Sequence, residues 1–253
     1  MIGAHAGIFA IAAIVSAPFI GSFLAALALR LPARRPVVFA RSACDACGRP
    51  LAALDLVPLA SFAASRGVCR YCGAQIDRLH PAMELGALVI AVWAAFLVSG
   101  WILLASCLFG WTLLTLAAID WRTNLLPDVL TLPLIVAGLA VARFVDPASV
   151  VAHLVGALVG FATFALLAAI FRRLRGRDGL GLGDAKLLAA VGAWLGWMGL
   201  PTVVLLGALI GLALVLARRL AGEPIDAATR IPFGPALAAG AWIVWLYGPL
   251  VPT

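Results

Sequence analysis

Long runs of apolar residues constrain the fold of this 253-residue chain more than any other feature. They lie at about 8–29, 82–99, 101–119, 125–142, 150–171, 185–198, 200–217 and 232–250. A run of about 20 apolar residues can cross a bilayer as an α-helix. Apolar residues make up 64% and charged residues 11% of the chain, against about 45–50% and 25% in soluble domains. The sequence therefore predicts an all-α, polytopic integral membrane protein with about eight transmembrane helices.

Two of these runs need interpretation. No Lys or Arg precedes the run at 8–29, and the first basic residue, Arg30, follows it. This order is atypical of a cleaved signal peptide, so the run is expected to be a retained helix. The run at 185–198 is short for a span, and Gly199 and Pro201 favour a tight turn after it. A hairpin of two helices is predicted over 185–217.

The basic residues predict the topology. Threading the eight runs in order places the Arg and Lys residues of 30–78, 122, 172–186 and 218–230 on one side, and Arg143 alone on the other. The positive-inside rule assigns the first side to the cytoplasm, so both termini are expected outside. The segments 32–80, 120–128 and 172–184 are therefore expected to face the cytoplasm. Because topology accounts for the basic residues, the net charge of +7 does not indicate a nucleic-acid partner.

Two Cys-x-x-Cys pairs lie in the first inward segment. Cys44 and Cys47 form one pair, Cys69 and Cys72 the other, with 21 residues between the pairs. Four thiolates in this pattern are typical of a structural, tetrahedral zinc site. The alternative is two redox-active or merely buried pairs, although a cytoplasmic location argues against disulfides. The fifth cysteine, Cys107, lies in an apolar run and is expected to pack as a small hydrophobic residue.

Carboxylates at the ends of apolar runs are candidate functional groups, because ionisable residues in or near a membrane are costly. Asp128, Asp184 and Glu84 each begin a predicted helix, so helix capping is an alternative role for all three. Asp120 ends a predicted helix, where its negative charge opposes the helix dipole. Asp120 therefore needs a specific stabilising partner or a function.

A pair of adjacent carboxylates predicts aspartic protease chemistry. Repulsion keeps one carboxyl protonated while the other stays ionised, so one activates water and the other donates a proton to the scissile carbonyl. Gly181 and Gly183 precede Asp184 and expose its backbone to a substrate strand. Lys186 is expected to tune the charge of the pair or bind the substrate, with snorkelling to the membrane surface as the alternative. The three histidines are dispersed, which weakens a serine or metalloprotease interpretation.

Several short segments, in order along nearly the whole chain, form a specific set. They are Gly21–Leu24 with Arg30–Pro32, the two cysteine pairs, His80–Leu85, Ile119–Asp120, Leu125–Pro133, Gly181–Lys186 and Ile231–Pro235. This set resembles the type IV prepilin peptidases, the bacterial Gly-x-Gly-Asp family of intramembrane aspartic proteases. The resemblance implies that Asp120 and Asp184 are the catalytic pair, with Asp128, Gly181, Gly183, Lys186 and Glu84 in supporting or substrate-binding positions. It also implies that Cys44, Cys47, Cys69 and Cys72 bind zinc.

The same resemblance implies the substrate and the location. Members cleave the basic leader of type IV prepilins, or of the pseudopilins of type II secretion, at the cytoplasmic face of the bacterial inner membrane. Many then methylate the new N-terminal amine with S-adenosylmethionine. The chain contains no Gly-rich dinucleotide fingerprint, so methylation rests on the resemblance alone.

We expect three parts: a first transmembrane helix over 1–31, a cytoplasmic zinc loop over 32–80, and a transmembrane peptidase core over 81–253. The alternative function is a multi-helix transporter or zinc-bearing membrane scaffold whose aspartates bind ions or protons. No internal repeat of the kind expected of a transporter is evident in the sequence. The sequence does not indicate an oligomeric state.

Overall fold

The structure, a computed structural model, describes residues 2–37, 42–175, 181–223 and 232–250. Ile231, the first residue of the motif at 231–235, lies outside the described residues. The described residues contain no β-strand, only isolated bridges between Ala43 and Pro50 and between Val68 and Gln75. The predicted all-α class is confirmed. The chain divides into two compact units, Met1–Thr115 and Leu116–Thr253.

Unit 1 contains two long helices, the loop region that connects them (the residues between Arg30 and Leu79), and the first part of a third helix. Its elements are α1 (Ile2–Arg30), a 3-10 turn (Ala53–Leu56), α2 (Ala60–Ala64), α3 (Leu79–Leu97) and the part of α4 (Trp101–Thr123) up to Thr115. Helices α1 and α3 pack against each other. The Trp111 indole Nε1 donates to the carbonyl oxygen of Ala87 at 2.9 Å, which joins α4 to α3. Cys107 is fully buried on α4, as expected for a small apolar residue.

Unit 2 is built around one helical element. It contains the end of α4, then α5 (Asp128–Val145), α6 (Val150–Arg175), α7 (Leu182–Leu220) and α8 (Gly234–Tyr247). Helix α7 packs against α5, α6 and α8. Trp194, at the centre of this packing, donates from Nε1 to the carbonyl oxygen of Leu134 at 2.8 Å. A buried α7 thus supplies the core of the unit.

A break at Gly196 turns α7 into a hairpin of a first arm (182–195) and a second arm (197–220). Gly196 has φ 71° and ψ 172°, a backbone conformation that only glycine adopts readily. The beginning and the end of α7 both lie beside the end of α4. Asp184 interacts with the charge of Asp120, and the Arg218 guanidinium lies 4.8 Å from the Trp121 ring centre. A straight 39-residue helix would instead separate its ends by about 58 Å.

The predicted hairpin is confirmed, but its turn is at Gly196 and not at Gly199 and Pro201, which lie in the second arm. Six described helices are long and apolar enough to cross a membrane. With α7 counted as two arms and the 14-residue α8 included, the described residues form eight apolar helical segments. The chain is a polytopic integral membrane protein. The three-part domain organisation stays a prediction.

Candidate active site and metal centre

The Asp120 carboxylate is held at the beginning of another helix. Asp120 lies near the C-terminal end of α4 and is 5% exposed. Its Oδ2 accepts a hydrogen bond from the backbone N–H of Gly234, the first residue of α8, at 3.0 Å. The positive end of the α8 dipole therefore offsets the unfavourable position of the charge on α4.

Gly234 also leaves the space that the carboxylate occupies. A Cβ atom at position 234 would lie 2.6 Å from Oδ2 and 3.0 Å from Cγ of Asp120. Real Cβ atoms essentially never approach so closely, so any other residue would displace the carboxylate. The sequence pointed to the segment 231–235 only through a resemblance, and it assigned the segment no contact.

The Asp184 carboxylate lies at the beginning of α7, near enough to Asp120 for the two charges to interact. Asp184 is the third residue of α7, and Gly181 is the residue that caps this helix. The Gly181 N–H donates to the Asp184 carboxylate, an arrangement like the acidic half of a capping box. Asp184 therefore caps its own helix and also interacts with the charge of Asp120. The structure brings the two predicted aspartates together, each at a helix N-terminus.

An ion pair joins the helices beside this carboxylate pair. Lys186 Nζ lies 2.6 Å from Asp128 Oδ1, which connects α7 to the first residue of α5. Asp128 lies in the first turn of α5, where its charge complements the helix N-terminus, although no side-chain capping bond is formed there. Lys186 is likewise engaged with Asp128 and not simply extended to the membrane surface.

The two glycines before Asp184 have different surroundings. A Cβ at Gly183 would lie 2.9 Å from Cβ of Leu126, so the chain's own Leu126 occupies the space that was expected to admit a substrate strand. Gly181 is exposed, and a Cβ there would lie 3.6 Å from Asp184 Oδ2. A peptide can therefore approach the carboxylates beside Gly181, whereas Leu126 blocks its approach beside Gly183.

Glu84 belongs to unit 1 and is described separately from the aspartates. It is the sixth residue of α3 and is 5% exposed, so the capping role considered for it is wrong. Its Oε2 accepts from the backbone N–H of Leu59 at 2.7 Å. Leu59 immediately precedes α2 and has a φ of 58°, which is uncommon for a leucine. Glu84 thereby attaches the loop region to α3.

The four cysteines of the loop region form one cluster. Their four sulfur atoms all lie within 4.8 Å of one another. The Sγ atoms of Cys44 and Cys72 are 3.9 Å apart, close to the edge of about 3.8 Å expected for a tetrahedron with Zn–S bonds of about 2.3 Å. The donor set therefore fits a zinc ion.

The two cysteine pairs have the same local backbone. The Gly48 N–H donates to the Cys44 carbonyl at 2.8 Å, and the Gly73 N–H donates to the Cys69 carbonyl at 2.9 Å. Both glycines have positive φ, 69° and 71°. Each pair is thus a zinc-knuckle turn that presents two thiols from the same tight loop.

The thiols differ in acidity. Hydrogen bonds from the backbone N–H groups of Cys47 and Ala46 lower the pKa of the Cys44 thiol to about 7. A backbone hydrogen bond from Ala74 lowers the pKa of Cys72, but desolvation and the neighbouring thiols outweigh it and raise that pKa to about 11. A divalent cation would relieve the repulsion among four thiolates crowded in this way.

Two contacts beside the aspartates were not predicted from the sequence. The Gly234–Asp120 bond joins residues 114 positions apart, and the Arg218–Trp121 contact joins the ends of α7 and α4. The sequence indicated the Gly234–Asp120 bond only indirectly, because a carboxylate at the end of α4 needed some stabilising partner. The Arg218–Trp121 contact had no signal in the sequence.

Comparisons with known proteins agree with this arrangement. Residues 107–216 match the type IV leader peptidase family, and residues 15–98 match the bacterial peptidase A24 N-terminal domain. The first match contains Asp120 and Asp184, and the second contains the four clustered cysteines and Glu84. No solved structure gives a significant match to the chain.

Curated relatives extend the match to most of the chain. A prepilin leader peptidase/N-methyltransferase of Burkholderia pseudomallei is 44% identical over 220 residues, which cover 86% of this chain and 71% of the relative. Proteins of the same name from Aeromonas hydrophila and Pseudomonas aeruginosa are 42% and 38% identical, covering 82% and 84% of this chain and 72% and 73% of theirs. The chain therefore belongs to the type IV leader peptidase family.

Proposed function

We propose that this chain cleaves the basic leader peptide of type IV prepilins or of the related pseudopilins of type II secretion. The observation that carries the proposal is the pairing of two carboxylates, Asp120 and Asp184, at the N-termini of α8 and α7. Family membership supports the substrate class, because the similar proteins carry the name prepilin leader peptidase/N-methyltransferase.

The two carboxylates share the proton chemistry of hydrolysis. Two adjacent carboxylates do not both ionise readily, so the pair holds one proton. The ionised member takes a proton from water as its oxygen attacks the scissile carbonyl, and the protonated member donates to the carbonyl oxygen. The Gly234 N–H fixes the rotation of the Asp120 carboxylate, so the pair is oriented before a substrate arrives.

The substrate approaches along the membrane. The hydrophobic segment of a prepilin lies in the bilayer beside apolar helices, while its leader reaches the aspartates at the membrane boundary. Gly181 offers the open backbone edge beside Asp184. The Asp128–Lys186 ion pair holds the beginnings of α5 and α7 together around the site.

A second activity is N-methylation of the new N-terminal amine with S-adenosylmethionine, as the names of the relatives indicate. The four clustered cysteines would hold zinc in a structural role, because four thiolates leave no open coordination position for water. Zinc would supply rigidity to a loop region that has few large apolar residues of its own.

We place the protein in the bacterial inner membrane with the aspartates at the cytoplasmic face and both termini outside. The distribution of Arg and Lys supports this orientation, since 17 of the 18 basic residues fall on one side when the eight segments are threaded in order.

The test is cleavage of a purified prepilin by the purified protein in detergent, with the products identified by mass spectrometry. We expect release of the basic leader at the Gly that precedes the hydrophobic segment. Intact prepilin after prolonged incubation, with protein that remains folded, would contradict the proposal. The family match argues against the transporter or scaffold alternative, and proton or cation uptake without cleavage is the result that would restore it.

A further inference from the structure

The loop region of unit 1 carries a short exposed apolar segment that leader cleavage does not use. In the 3-10 turn (Ala53–Leu56) and the residue after it, Leu54 is 72%, Leu56 43% and Val57 40% exposed. These three residues form the apolar edge. Large apolar side chains that are exposed together mark a surface that another molecule covers.

One hydrogen bond fixes the height of the apolar edge relative to the membrane. The Leu59 N–H, two residues after Val57, donates to Glu84 Oε2 at 2.7 Å. Helix α3 has 19 residues and needs its whole length of about 28 Å to cross a hydrocarbon core of about 30 Å, so the membrane boundary lies near Leu79. Glu84 lies about 7.5 Å deeper along the helix, and helical side chains tilt back toward the helix N-terminus. The apolar edge is therefore held at the membrane boundary.

The acidic residue within this segment is turned away from the exposed side. The Asp55 side chain is only 13% exposed, and its Oδ1 lies 2.9 Å from Arg70 Nε. Its Oδ2 accepts a hydrogen bond from the Ala52 N–H at 3.0 Å. Because partners within the loop region compensate the carboxylate, the apolar edge presents no negative charge. A surface in contact with hydrocarbon needs this property, since an unpaired charge there is costly.

Basic and aromatic groups border the apolar edge. Arg70, the partner of Asp55, is followed by the exposed Tyr71, and the exposed Arg49 places its guanidinium 4.7 Å from the Tyr71 ring centre. Tyrosine is frequent at the level of lipid headgroups, and the planar guanidinium of arginine matches the geometry of a phosphate. Residues 31–78 contain seven arginines and three aspartates, a surplus of four positive charges. Four thiolates around one zinc ion would remove two of these charges and leave the loop region basic.

We propose that the apolar edge docks into the surface of a bilayer that contains anionic phospholipids, with Arg49 and Arg70 on the phosphate groups. The positive charge of the loop region favours this partner over a prepilin leader, which is itself basic, and over the loop region of a second copy. Docking attaches the loop region to the membrane at a third place, besides its connections to α1 and α3. The proposal does not depend on leader cleavage.

Fluorescence quenching tests the depth of the apolar edge. The full chain, with a fluorescent amino acid at position 54, is placed in nanodiscs that contain phosphatidylcholine and phosphatidylglycerol. Nitroxides on the acyl chains near the headgroups should lower the fluorescence about twofold or more, whereas iodide in the water should quench it weakly. The same label at position 96, an exposed residue near the other end of α3, gives the reference for a side chain in contact with lipid. Strong quenching by iodide without an effect of the nitroxides would overturn the proposal.

Hydrogen exchange tests the charge of the lipid. Backbone amides over 52–59 should exchange about threefold more slowly in nanodiscs with phosphatidylglycerol than in pure phosphatidylcholine. Arg49→Gln should remove roughly half of this difference, because it removes one phosphate-binding charge. Arg143→Gln, the same substitution at an exposed arginine in the last turn of α5, is the matched control and should leave the difference unchanged.

A second variant gives an independent result if Arg49→Gln does not fold. Leu54→Gln removes apolar contact at an exposed side chain, so exchange over 52–59 should become faster in both lipids. Equal exchange of the wild-type protein in the two lipids, equal effects of Arg49→Gln and Arg143→Gln, or unchanged exchange in Leu54→Gln would overturn the proposal. Protection that appears only after a prepilin is added, or only with two chains in one nanodisc, would also overturn it. The first result would assign the apolar edge to the substrate and the second to a second copy of the chain.

Discussion

At the scale of single residues, the site depends on two carboxylates that receive backbone N–H groups from two different helix N-termini. Asp184 caps its own helix, whereas Asp120 is supported by a residue 114 positions later in the chain. Neither bond neutralises a charge with a basic side chain. The pair therefore keeps an unshared negative charge for proton transfer while both side chains remain fixed.

Replacing either aspartate should stop the chemistry. Asp120→Asn or Asp184→Asn should lower leader cleavage about a hundredfold or more, because each removes one half of the proton exchange with little change in shape. Asp128→Asn should retain measurable activity, because Asp128 contacts Lys186 and not the reacting groups. Processing assays on membranes that carry equal amounts of each protein decide the matter, and full cleavage by Asp184→Asn would refute the assignment.

Gly234 gives a second prediction at this scale. Gly234→Ala places a methyl group 2.6 Å from Asp120 Oδ2, so the carboxylate must rotate and lose its N–H bond. We expect cleavage to fall about tenfold or more, measured with a prepilin in detergent. Gly211→Ala on the second arm of α7 is the control, because its methyl group would meet ordinary contacts at 3.8 Å. Equal activity of the two variants would show that Gly234 does not orient Asp120.

At the scale of elements, two turns show what local sequence reveals and what it does not. The zinc knuckles were predictable because each is a complete local pattern, two cysteines followed by Gly48 or Gly73. The turn in α7 was predicted three residues too late, at Gly199 and not at Gly196. Pro201 is a stronger local signal for a turn than Gly196, which is one of several glycines in an apolar run. The contact between Gly234 and Asp120 depends on how α4 and α8 meet, which no local pattern encodes.

The loop region provides a test of the metal. Purified protein should contain one zinc per chain, measured by plasma mass spectrometry, since the four sulfurs already lie within 4.8 Å of one another. Replacing Cys44 and Cys47 by Ser should release the ion and increase hydrogen exchange over 42–78. Leader cleavage should fall through lower stability, and methylation, if it depends on the shape of the loop region, should fall further.

The control for this variant is Cys107→Ser, which changes a buried cysteine of α4 outside the cluster. It should keep the metal, even if the buried hydroxyl costs stability. A zinc-free Cys44/Cys47 variant with normal exchange, cleavage and methylation would show that the loop region needs no metal. Stoichiometric iron in the wild-type protein would contradict the structural zinc site.

At the scale of the whole molecule, the number of apolar segments decides which loops share a side of the membrane. The break at Gly196 adds one crossing, which returns Arg218 to the end of unit 2 that carries Asp120 and Asp184. Without that reversal, the basic residues at both ends of α7 would lie on opposite sides. The charge distribution and the helical hairpin thus agree.

Topology reporters test this arrangement. Tags after Arg175 and near Arg219 should report the cytoplasm, and tags at residue 146 and at both termini should report the outside. Protease protection in inverted and right-side-out vesicles provides an independent measurement. A cytoplasmic position for residue 146 would require a different number of crossings between Asp120 and Asp184 and would contradict the proposed topology.

The helices whose N-termini hold the two carboxylates are unusually short. Helix α8 has 14 residues, and the first arm of α7 also has 14, from 182 to 195. Each is about 21 Å long, against a hydrocarbon thickness of about 30 Å. Both helices are largely buried among longer ones, so lipid meets the longer helices while the two aspartates lie below the membrane surface. The depth of the aspartates then depends on bilayer thickness, and reconstitution in lipids with shorter acyl chains should speed leader removal.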